Sequence, residues 1–139
     1  MQIKEANTKE DLIQCFEVMA ELRPHHNLDS FITTMAQMKK EGYHLLYIED
    51  EGIAVCAAGF RFTTTLYDGL IIDFDDFVTL AAARKKGYAS LLFDHLVSIA
   101  KEKGISTIHL NSAHHRYEAH RFYLNKKMNI IAHHFRIAV

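Results

Sequence analysis

Residues 70–90 read LIIDFDDFVTLAAARKKGYAS, and the change of pattern inside this stretch decides the fold. The first half, through Leu80, is rich in Ile, Phe and Val, as β-strands are. A basic turn that contains Gly87 follows, and apolar residues then recur at helical spacing from Tyr88 to Ile99. A strand that passes through a short turn into an amphipathic helix predicts an α/β protein.

Strands and helices also alternate on both sides of this stretch. Besides residues 70–80, the pattern predicts strands over residues 1–6, 43–49, 53–62, 105–110 and 128–139, the last as one strand or two. Helices are predicted from Thr8, after the break at Pro24, over residues 86–103, and around Ala119 to Tyr123. Because no linker or repeat interrupts the chain, residues 1–139 are expected to form one domain.

The composition is that of an ordinary globular domain. Of the 139 residues, 49% are hydrophobic and 24% are charged, and the net charge is -1. This balance gives no reason to expect a nucleic acid or a membrane as a partner. Cys15 and Cys56 are expected to be reduced core residues, and no apolar signal-peptide segment follows Met1. Together these features predict a cytoplasmic protein.

The turn into the helix predicts an anion-binding site. The first N–H groups of a helix have no intrahelical acceptor and lie at the positive end of the helix dipole. Gly87 allows a ligand to approach the backbone because it has no Cβ. Arg84, Lys85 and Lys86 add positive charge where it opposes the dipole, and a bound phosphate would relieve that conflict. The alternative is a solvated basic helix start.

The spacing Arg84-x-x-Gly87-x-Ala89, between a strand and an amphipathic helix, resembles the signature of the GNAT acetyltransferase superfamily. The resemblance implies the α/β GNAT-type acyl-CoA N-acyltransferase fold, a mixed central sheet of about six or seven strands flanked by about four helices. It also implies acetyl-CoA as the acyl donor, with its pyrophosphate held by backbone amides of the turn. The residues assigned to this turn are Arg84, Lys85, Lys86, Gly87, Tyr88, Ala89 and Ser90.

A second segment resembles the same family. Ala119-x-x-Phe122-Tyr123 is similar to a GNAT motif whose tyrosine hydroxyl approaches the coenzyme A sulfur, which implies that Tyr123 protonates the departing thiolate. A thiol pKa of about 8.5 and a phenol pKa of about 10 make that transfer nearly balanced. The resemblance assigns Ser112, Arg116 and Phe122 to the coenzyme as well. Taken alone, Phe122 and Tyr123 would be read as a pair of core aromatics.

The chain departs from the family pattern just after this motif. GNAT sequences usually continue with three residues and then Gly-Phe, whereas Lys127 and Met128 occupy these positions here. Glycine relieves strain at a helix end, so the local turn is where this chain is expected to differ from its family.

The strand before the turn is expected to hold the reacting groups. The resemblance implies that the Val78 N–H donates to the thioester carbonyl, and that the pantetheine arm pairs with Val78, Thr79 and Leu80 like an added strand. An amine similar to lysine is protonated in all but about one molecule in a thousand at neutral pH, so a base is needed.

Asp75 and Asp76 are the candidates for that base. Simple alternation places them on opposite faces of the strand, with Asp76 on the side of Phe74 and Val78, and a bulge would change this. We expect Asp76 to be the base and Asp75 to contact the substrate. The alternative is that one or both bind a cationic substrate or cap the edge of the strand.

The loop between the first two helices carries His25 and His26. This loop lines the acceptor side in GNAT folds, so both are expected to contact the substrate. The paired histidines lack the usual spacing of metal ligands, and no metal site is predicted. The expected acceptor is a small-molecule or peptide amine, and exposed edge strands would allow a homodimer. The alternative function is a non-catalytic acyl-CoA-binding sensor on the same fold.

Overall fold

The computed structural model describes residues 1–139 and contains five strands, four α-helices and one short 3₁₀ turn. In chain order the elements are β1 (Gln2–Glu5), α1 (Lys9–Leu22), α2 (Leu28–Lys40), β2 (Tyr43–Asp50), β3 (Ile53–Thr65), β4 (Gly69–Thr79), the 3₁₀ turn (Ala81–Ala83), α3 (Tyr88–Glu102), β5 (Ile108–Leu110) and α4 (Tyr117–Asn125). The strands form one mixed sheet in the order β1-β2-β3-β4-β5, in which the pairs β1–β2, β2–β3 and β3–β4 are antiparallel.

The first two helices begin at side-chain caps that the local sequence supplies. Thr8 caps α1, and its hydroxyl oxygen accepts from the Asp11 N–H at 3.1 Å while the Asp11 carboxylate accepts from the Thr8 N–H at 3.0 Å. Asn27 caps α2 in the same way with Ser30. The helix that was predicted to follow the break at Pro24 therefore begins at Leu28, because Asn27 satisfies one of its first free N–H groups.

The two faces of the sheet are buried by different helices. Side chains of α1 and α2 share a core with Tyr43, Leu45 and Tyr47 of β2 and with Val78 of β4. Phe77, the neighbour of Val78 in the strand, lies on the opposite face and contacts Phe93 of α3. The members of the α1 and α2 core are Ala6, Leu12, Cys15, Val18, Met19, Phe31, Met35, Tyr43, Leu45, Tyr47, Ala54, Ala57 and Val78.

The chain divides into two compact units, residues 1–109 and residues 110–139. The first contains β1 to β4, α1 to α3 and most of β5, and the second contains α4. None of the helices combines the length and the hydropathy that a membrane span requires. Cys15 and Cys56 are free and buried, as predicted.

The prediction of strands over residues 128–139 was wrong. This segment has no regular secondary structure, so the sheet has five strands instead of the predicted six or seven, while the number of helices agrees. A strand exists only through hydrogen bonds to a neighbouring backbone, and none is formed by residues 129–139. The sequence pattern shows a capacity to pair, which is not sufficient for a strand.

Candidate functional site

The turn between β4 and α3 presents backbone N–H groups that have no acceptor in the protein. Gly87 is the residue before α3 and has φ 87°, and Lys85 also has a positive φ of 62°. The first intrahelical bond joins the Leu91 N–H to the Gly87 carbonyl at 3.0 Å. The N–H groups of residues 85–89, which precede it, find no protein acceptor. They form a cradle that suits an anion.

Gly87 keeps this cradle open. A Cβ added at this position would meet no atom within 4 Å, so the space above the backbone is empty. The left-handed conformation of Gly87 is one that residues with a side chain adopt at a cost. Lys85, Lys86 and Gly87 are exposed, while Tyr88, Ala89 and Ser90 are half-buried.

Arg84 does not point freely into the cradle. Its Nε donates to the Thr79 carbonyl at 3.3 Å, and its Nη2 lies 3.7 Å from the Glu21 carboxylate. Glu21 also accepts from the Ala81 N–H at 3.2 Å. Glu21 thus links α1 to the 3₁₀ turn and balances part of the positive charge beside the cradle.

β4 has an outer edge that is largely open. β5 has only three residues against eleven in β4, and the Ile72 N–H donates to the Thr107 carbonyl at 3.4 Å where the two come together. On the other edge, Val78 and Thr79 pair with Ala57 and Cys56 of β3. Val78 is buried, and Thr79 and Leu80 are half-buried. An extended ligand could therefore pair with the open edge of β4.

A β-bulge brings both predicted carboxylates to one side of the sheet. Gly59 faces Asp76 and Phe60 faces Phe74, which leaves Asp75 as the extra residue. Phe74 consequently lies with Phe77 and Phe93 on the α3 face, whereas Asp76 points to the α1 and α2 face. The expectation that Asp76 shares a side with Phe74 was wrong, because the bulge interrupts the alternation between them.

Asp76 is buried and both of its carboxylate oxygens accept hydrogen bonds. The Tyr43 hydroxyl donates to Oδ2 at 2.7 Å, and the Arg23 Nε donates to Oδ1 at 2.9 Å. The Asp75 carboxylate accepts from the Arg61 Nε at 2.6 Å, and the Asp75 carbonyl accepts from Arg23. Burial and the neighbouring Asp76 raise the pKa of Tyr43 well above its usual value, so Tyr43 is a neutral donor.

The position of the Tyr43 ring also explains why residue 59 is a glycine. A Cβ at position 59 would lie 1.6 Å from the Tyr43 hydroxyl oxygen and 2.2 Å from the ring carbon that bears it. The Tyr43 ring therefore crosses β3 directly over Gly59 to reach Asp76. No local signal in the sequence marks Arg23, Tyr43 or Arg61 as site residues, because Tyr43 and Arg23 are 33 and 53 residues from Asp76.

The rings of the predicted substrate contacts His25 and His26 have centroids 4.4 Å apart and planes tilted by 41°. His25 is exposed, and His26 Nδ1 lies 3.0 Å from the Ser30 hydroxyl at the start of α2. The N–H of His26 donates to the Arg23 carbonyl, so the histidine pair follows directly on the residue that binds Asp76. No group of three or more His, Cys, Asp or Glu side chains is arranged to hold a metal ion.

The second unit holds the remaining predicted residues. Tyr123 is buried in α4, and its ring centroid lies 5.7 Å from that of the half-buried Phe122. Arg116 is the residue before α4, and its carbonyl accepts from the His120 N–H. The Ser112 hydroxyl oxygen is buried and has no hydrogen-bond partner. Such a group normally has one, so the Ser112 hydroxyl is an exception in this structure.

The turn after α4 ends the helix with a left-handed residue that is not a glycine. Lys127 adopts φ 71°, and its N–H donates to the Leu124 carbonyl at 3.0 Å. The Met128 N–H donates to the Tyr123 carbonyl at 3.1 Å, which completes a Schellman motif. The predicted departure at this turn is thus one of residue type, and lysine occupies a left-handed position that glycine normally fills.

Comparison with known proteins gives a consistent assignment. A family model described as the acetyltransferase (GNAT) family matches residues 7–128. The uncharacterized N-acetyltransferase YhdJ of Bacillus subtilis (strain 168) is 31% identical over 129 residues, which are 91% of this chain and 89% of YhdJ.

Two solved structures show the same fold. A transcriptional regulator from Bacillus halodurans C-125 superposes with a TM-score of 0.85 at 24% identity, covering 99% of both chains. An aminoglycoside N-acetyltransferase, AAC(6')-Iy, solved in complex with CoA, gives a TM-score of 0.84 at 12% identity over 99% of this chain and 93% of its own. The predicted α/β acyltransferase fold is confirmed. With the family match over most of its length and YhdJ as a relative, the chain belongs to the GNAT acetyltransferase family.

Proposed function

We propose that this GNAT acetyltransferase uses acetyl-CoA to acetylate a primary amine directly. The observation that carries the proposal is the open amide cradle at residues 85–89, which lies where the motif Arg84-x-x-Gly87-x-Ala89 predicts a pyrophosphate site. The cradle follows directly on the open edge of β4, so one ligand could place a diphosphate on the cradle and an extended arm along the strand.

Residues of the second unit support the same ligand independently. The unpartnered, buried Ser112 hydroxyl needs a hydrogen bond, and the polar pantetheine arm of coenzyme A offers amides and hydroxyls that would provide one. The other residues of the second unit that we assign to the coenzyme are Phe122, in α4, and Arg116, the residue before α4. The family match over residues 7–128 spans both units, which supports our proposal that residues 1–139 act as one catalytic domain.

The chemistry requires three contributions from the protein. The thioester of acetyl-CoA supplies an activated acetyl group, and we assign the Val78 N–H as the donor that stabilises the oxyanion formed when the amine attacks. We assign the Tyr123 hydroxyl as the acid that protonates the thiolate as the carbon–sulfur bond breaks. The amine must lose a proton before it attacks, and Asp76 is predicted to accept that proton.

The role of Asp76 as the base needs a kinetic test, because its carboxylate already accepts two hydrogen bonds. Both carboxylate oxygens already accept from Tyr43 and Arg23, so Asp76 could take a proton only through a water or by exchanging one of these partners. Asp76→Asn separates the two roles. If Asp76 is the base, the acidic limb of the kcat/KM profile disappears, whereas a positioning role leaves the limb and lowers the plateau.

We propose that the amine enters beside the start of α2, where His25, His26 and Asp75 can contact it. The exposed His25, the neighbouring Arg23 and the carboxylate of Asp75 offer both cationic and anionic contacts within one short region. Such a mixed surface suits a small-molecule or peptide amine with further polar groups, and it does not select one class of acceptor.

The first experiment tests the cradle. Coenzyme A should raise the melting temperature of the protein, and ATP at the same concentration should raise it less. Gly87→Glu should remove the shift, because it places a carboxylate over the cradle. Gly104→Glu is the matched control, since Gly104 also has a positive φ of 69° and open space around it but follows the other end of α3. Equal shifts for both variants would place the diphosphate elsewhere.

The second experiment tests turnover. Release of free thiol from acetyl-CoA should depend on an added amine, and a panel of amino acids, peptides, polyamines and aminoglycosides would identify the acceptor. Tyr123→Phe should lower kcat by about tenfold or more with little change in coenzyme A affinity. Tyr117→Phe is the control, because Tyr117 lies on the same helix with 64% of its surface exposed. Coenzyme A binding without turnover for any amine would favour the acyl-CoA sensor.

A further inference from the structure

The guanidinium of Arg23 carries hydrogen-bond donors that the protein does not use. Arg23 is the residue after α1, and its Nε donates to the Asp76 carboxylate at 2.9 Å while its Nη2 donates to the Asp75 carbonyl at 3.2 Å. Arginine has five N–H groups in one plane, so three remain. They are both N–H groups of Nη1 and the second N–H of Nη2, and none of them has an acceptor. Nη1 and Nη2 therefore form a free fork of donors at the end of the side chain.

A free guanidinium fork of this kind suits a carboxylate. Two parallel N–H···O bonds to a planar anion are the strongest arrangement that arginine forms with a ligand. The bonds from Nε and Nη2 to β4 fix the plane of the Arg23 guanidinium before any ligand arrives. A ligand that binds the free fork therefore orders little of the protein, which favours its binding.

Arg61, the other arginine beside the bulge, offers no such fork. Its Nε donates to the Asp75 carboxylate at 2.6 Å, and its Nη1 donates to the Glu41 carbonyl after α2 at 3.4 Å. The guanidinium carbon also lies 5.7 Å from the centroid of the Tyr43 ring. One arm of its end fork is thus occupied by backbone, and only Arg23 presents both arms.

The mixture of charges at the bulge does not select an acceptor, but the free donors and the spacing along β4 do. Asp75 and Asp76 are paired with Arg61 and Arg23, so these four charges cancel. An acceptor that carries one ammonium and one carboxylate group leaves that balance unchanged. Asp76 and Val78 are two residues apart, which corresponds to about 7 Å along a strand. A small molecule can therefore reach from Arg23, beside Asp76, to a thioester at Val78.

We propose that the acceptor is an amino acid, whose carboxylate binds the free fork of Arg23 and whose amino group is acetylated; this inference rests on the proposed function. The amine nitrogen forms a bond to the acetyl carbon while the carbon–sulfur bond of acetyl-CoA breaks. Of the three protons of the ammonium group, one stays on the amide nitrogen, one ends on the coenzyme A sulfur and one is released to solvent. The products are an N-acetyl amino acid and coenzyme A.

Asp73 is the observation that favours a different acceptor, a diamine. It lies opposite Arg61 in the register of β3 and β4, and no group in the protein donates a hydrogen bond to its carboxylate. An unpaired carboxylate could bind a second ammonium group. Asp73 is five residues before Val78, however, which is about 13 Å along the strand even when one residue is taken up by the bulge. Only a long polyamine would span that distance, whereas Arg23 lies beside Asp76.

Steady-state thiol release tests the proposal. The common amino acids are assayed first, and each one accepted is compared with its decarboxylated counterpart, such as phenethylamine for phenylalanine or cadaverine for lysine. We expect kcat/KM to be about tenfold or more higher for the amino acid. Arg23→Gln should lower this ratio to about one. Because the readout is a ratio, a general loss of activity caused by disturbing Asp76 cancels.

Two further variants identify the cause of the preference. Arg23→Lys keeps the charge but lacks the fork, so it should also lower the ratio, and it replaces Arg23→Gln if that variant fails to fold. Arg61→Gln is the matched control, which should lower both rates and leave the ratio unchanged. A ratio that persists in both Arg23 variants, or that falls in Arg61→Gln instead, would overturn the assignment to Arg23.

The acceptor panel separates a failure of this proposal from a failure of the proposed function. Equal kcat/KM within each pair, a preference for cadaverine over lysine, or turnover only with amines other than amino acids would overturn the amino-acid proposal and leave the acetyltransferase standing. Absence of thiol release with every amine would refute the proposed function itself, and the present proposal would be refuted with it.

Discussion

Removing one hydroxyl, in Tyr43→Phe, tests whether the buried network at the β4 bulge stabilises this fold. Tyr43 is 3% exposed and Asp76 8% exposed, and the hydrogen bond between them is 2.7 Å long. A hydrogen bond to a charged group contributes about 1.5–3 kcal/mol, and leaving a buried carboxylate oxygen unpaired costs a similar amount. Phenylalanine keeps the ring and its packing. Because Arg23 still holds the other oxygen, we expect a loss of about 2 kcal/mol in the free energy of unfolding.

Urea denaturation of wild type and variant measures this loss, with Tyr47→Phe as the control. Tyr47 lies four residues away on β2, and its hydroxyl reaches Asp11 and Gln14 only at 3.4 and 3.5 Å. Hydrogen bonds of that length are weak, so Tyr47→Phe should cost less than about 1 kcal/mol. Equal losses in the two variants would refute the argument that the Asp76 contact is the stabilising one.

The pH dependence of the free energy of unfolding is a second test of the hydrogen bond between Tyr43 and Asp76. The folded-state pKa of Tyr43 is raised well above the ordinary 10.0, mainly by burial and then by Asp76. A raised pKa means that this stabilisation is present below pH 10.0 and is lost as the pH rises further, because the unfolded chain ionises first. The difference in the free energy of unfolding between wild type and Tyr43→Phe should therefore decrease above pH 10.0. A constant difference would contradict the assignment.

Three further predictions concern other parts of the chain. Lys127→Gly should stabilise the protein by about 0.5–1 kcal/mol in urea denaturation, because lysine occupies a left-handed position. A lower free energy of unfolding in the variant would contradict the view that Lys127 is strained. Hydrogen bonds from the backbone of Thr8 lower the pKa of Asp11 from 3.8, so Asp11→Ala should cost about 1 kcal/mol at neutral pH, and this cost should disappear in acid titrations as the pH falls through the lowered value. Burial raises the pKa of Cys15 to about 12 and that of Cys56 to about 11, so thiol reagents at neutral pH should label them only as fast as the protein unfolds.

Local sequence signals predicted most of the first unit. The helix start after Thr8, the break at Pro24 and the turn between the strands predicted over 43–49 and 53–62 all lie where the sequence placed them. These features depend on residues that are close in sequence, where backbone preferences and side-chain caps act directly. The Gly87 turn was predicted for the same reason, and the N–H groups of residues 85–89 have no acceptor in the protein.

The network at the bulge could not be predicted in this way. The pairing of Asp76 with Tyr43 and Arg23 depends on the register of three elements that are far apart in the sequence. The bulge at Asp75 shifts that register by one residue, and a single shift reverses which face a side chain meets. The segment 128–139 shows the opposite case, in which a clear strand pattern forms no strand because pairing needs a second backbone.

The close approach of Tyr43 to position 59 couples two sites that sequence comparison would treat separately. A designer who randomises position 59 alone should recover glycine, because any side chain would overlap the phenol above it. A smaller residue at position 43 would free that space but would also remove the hydroxyl that holds Asp76. The two positions therefore behave as one variable in any attempt to reshape this end of the sheet, and a useful library must vary them together.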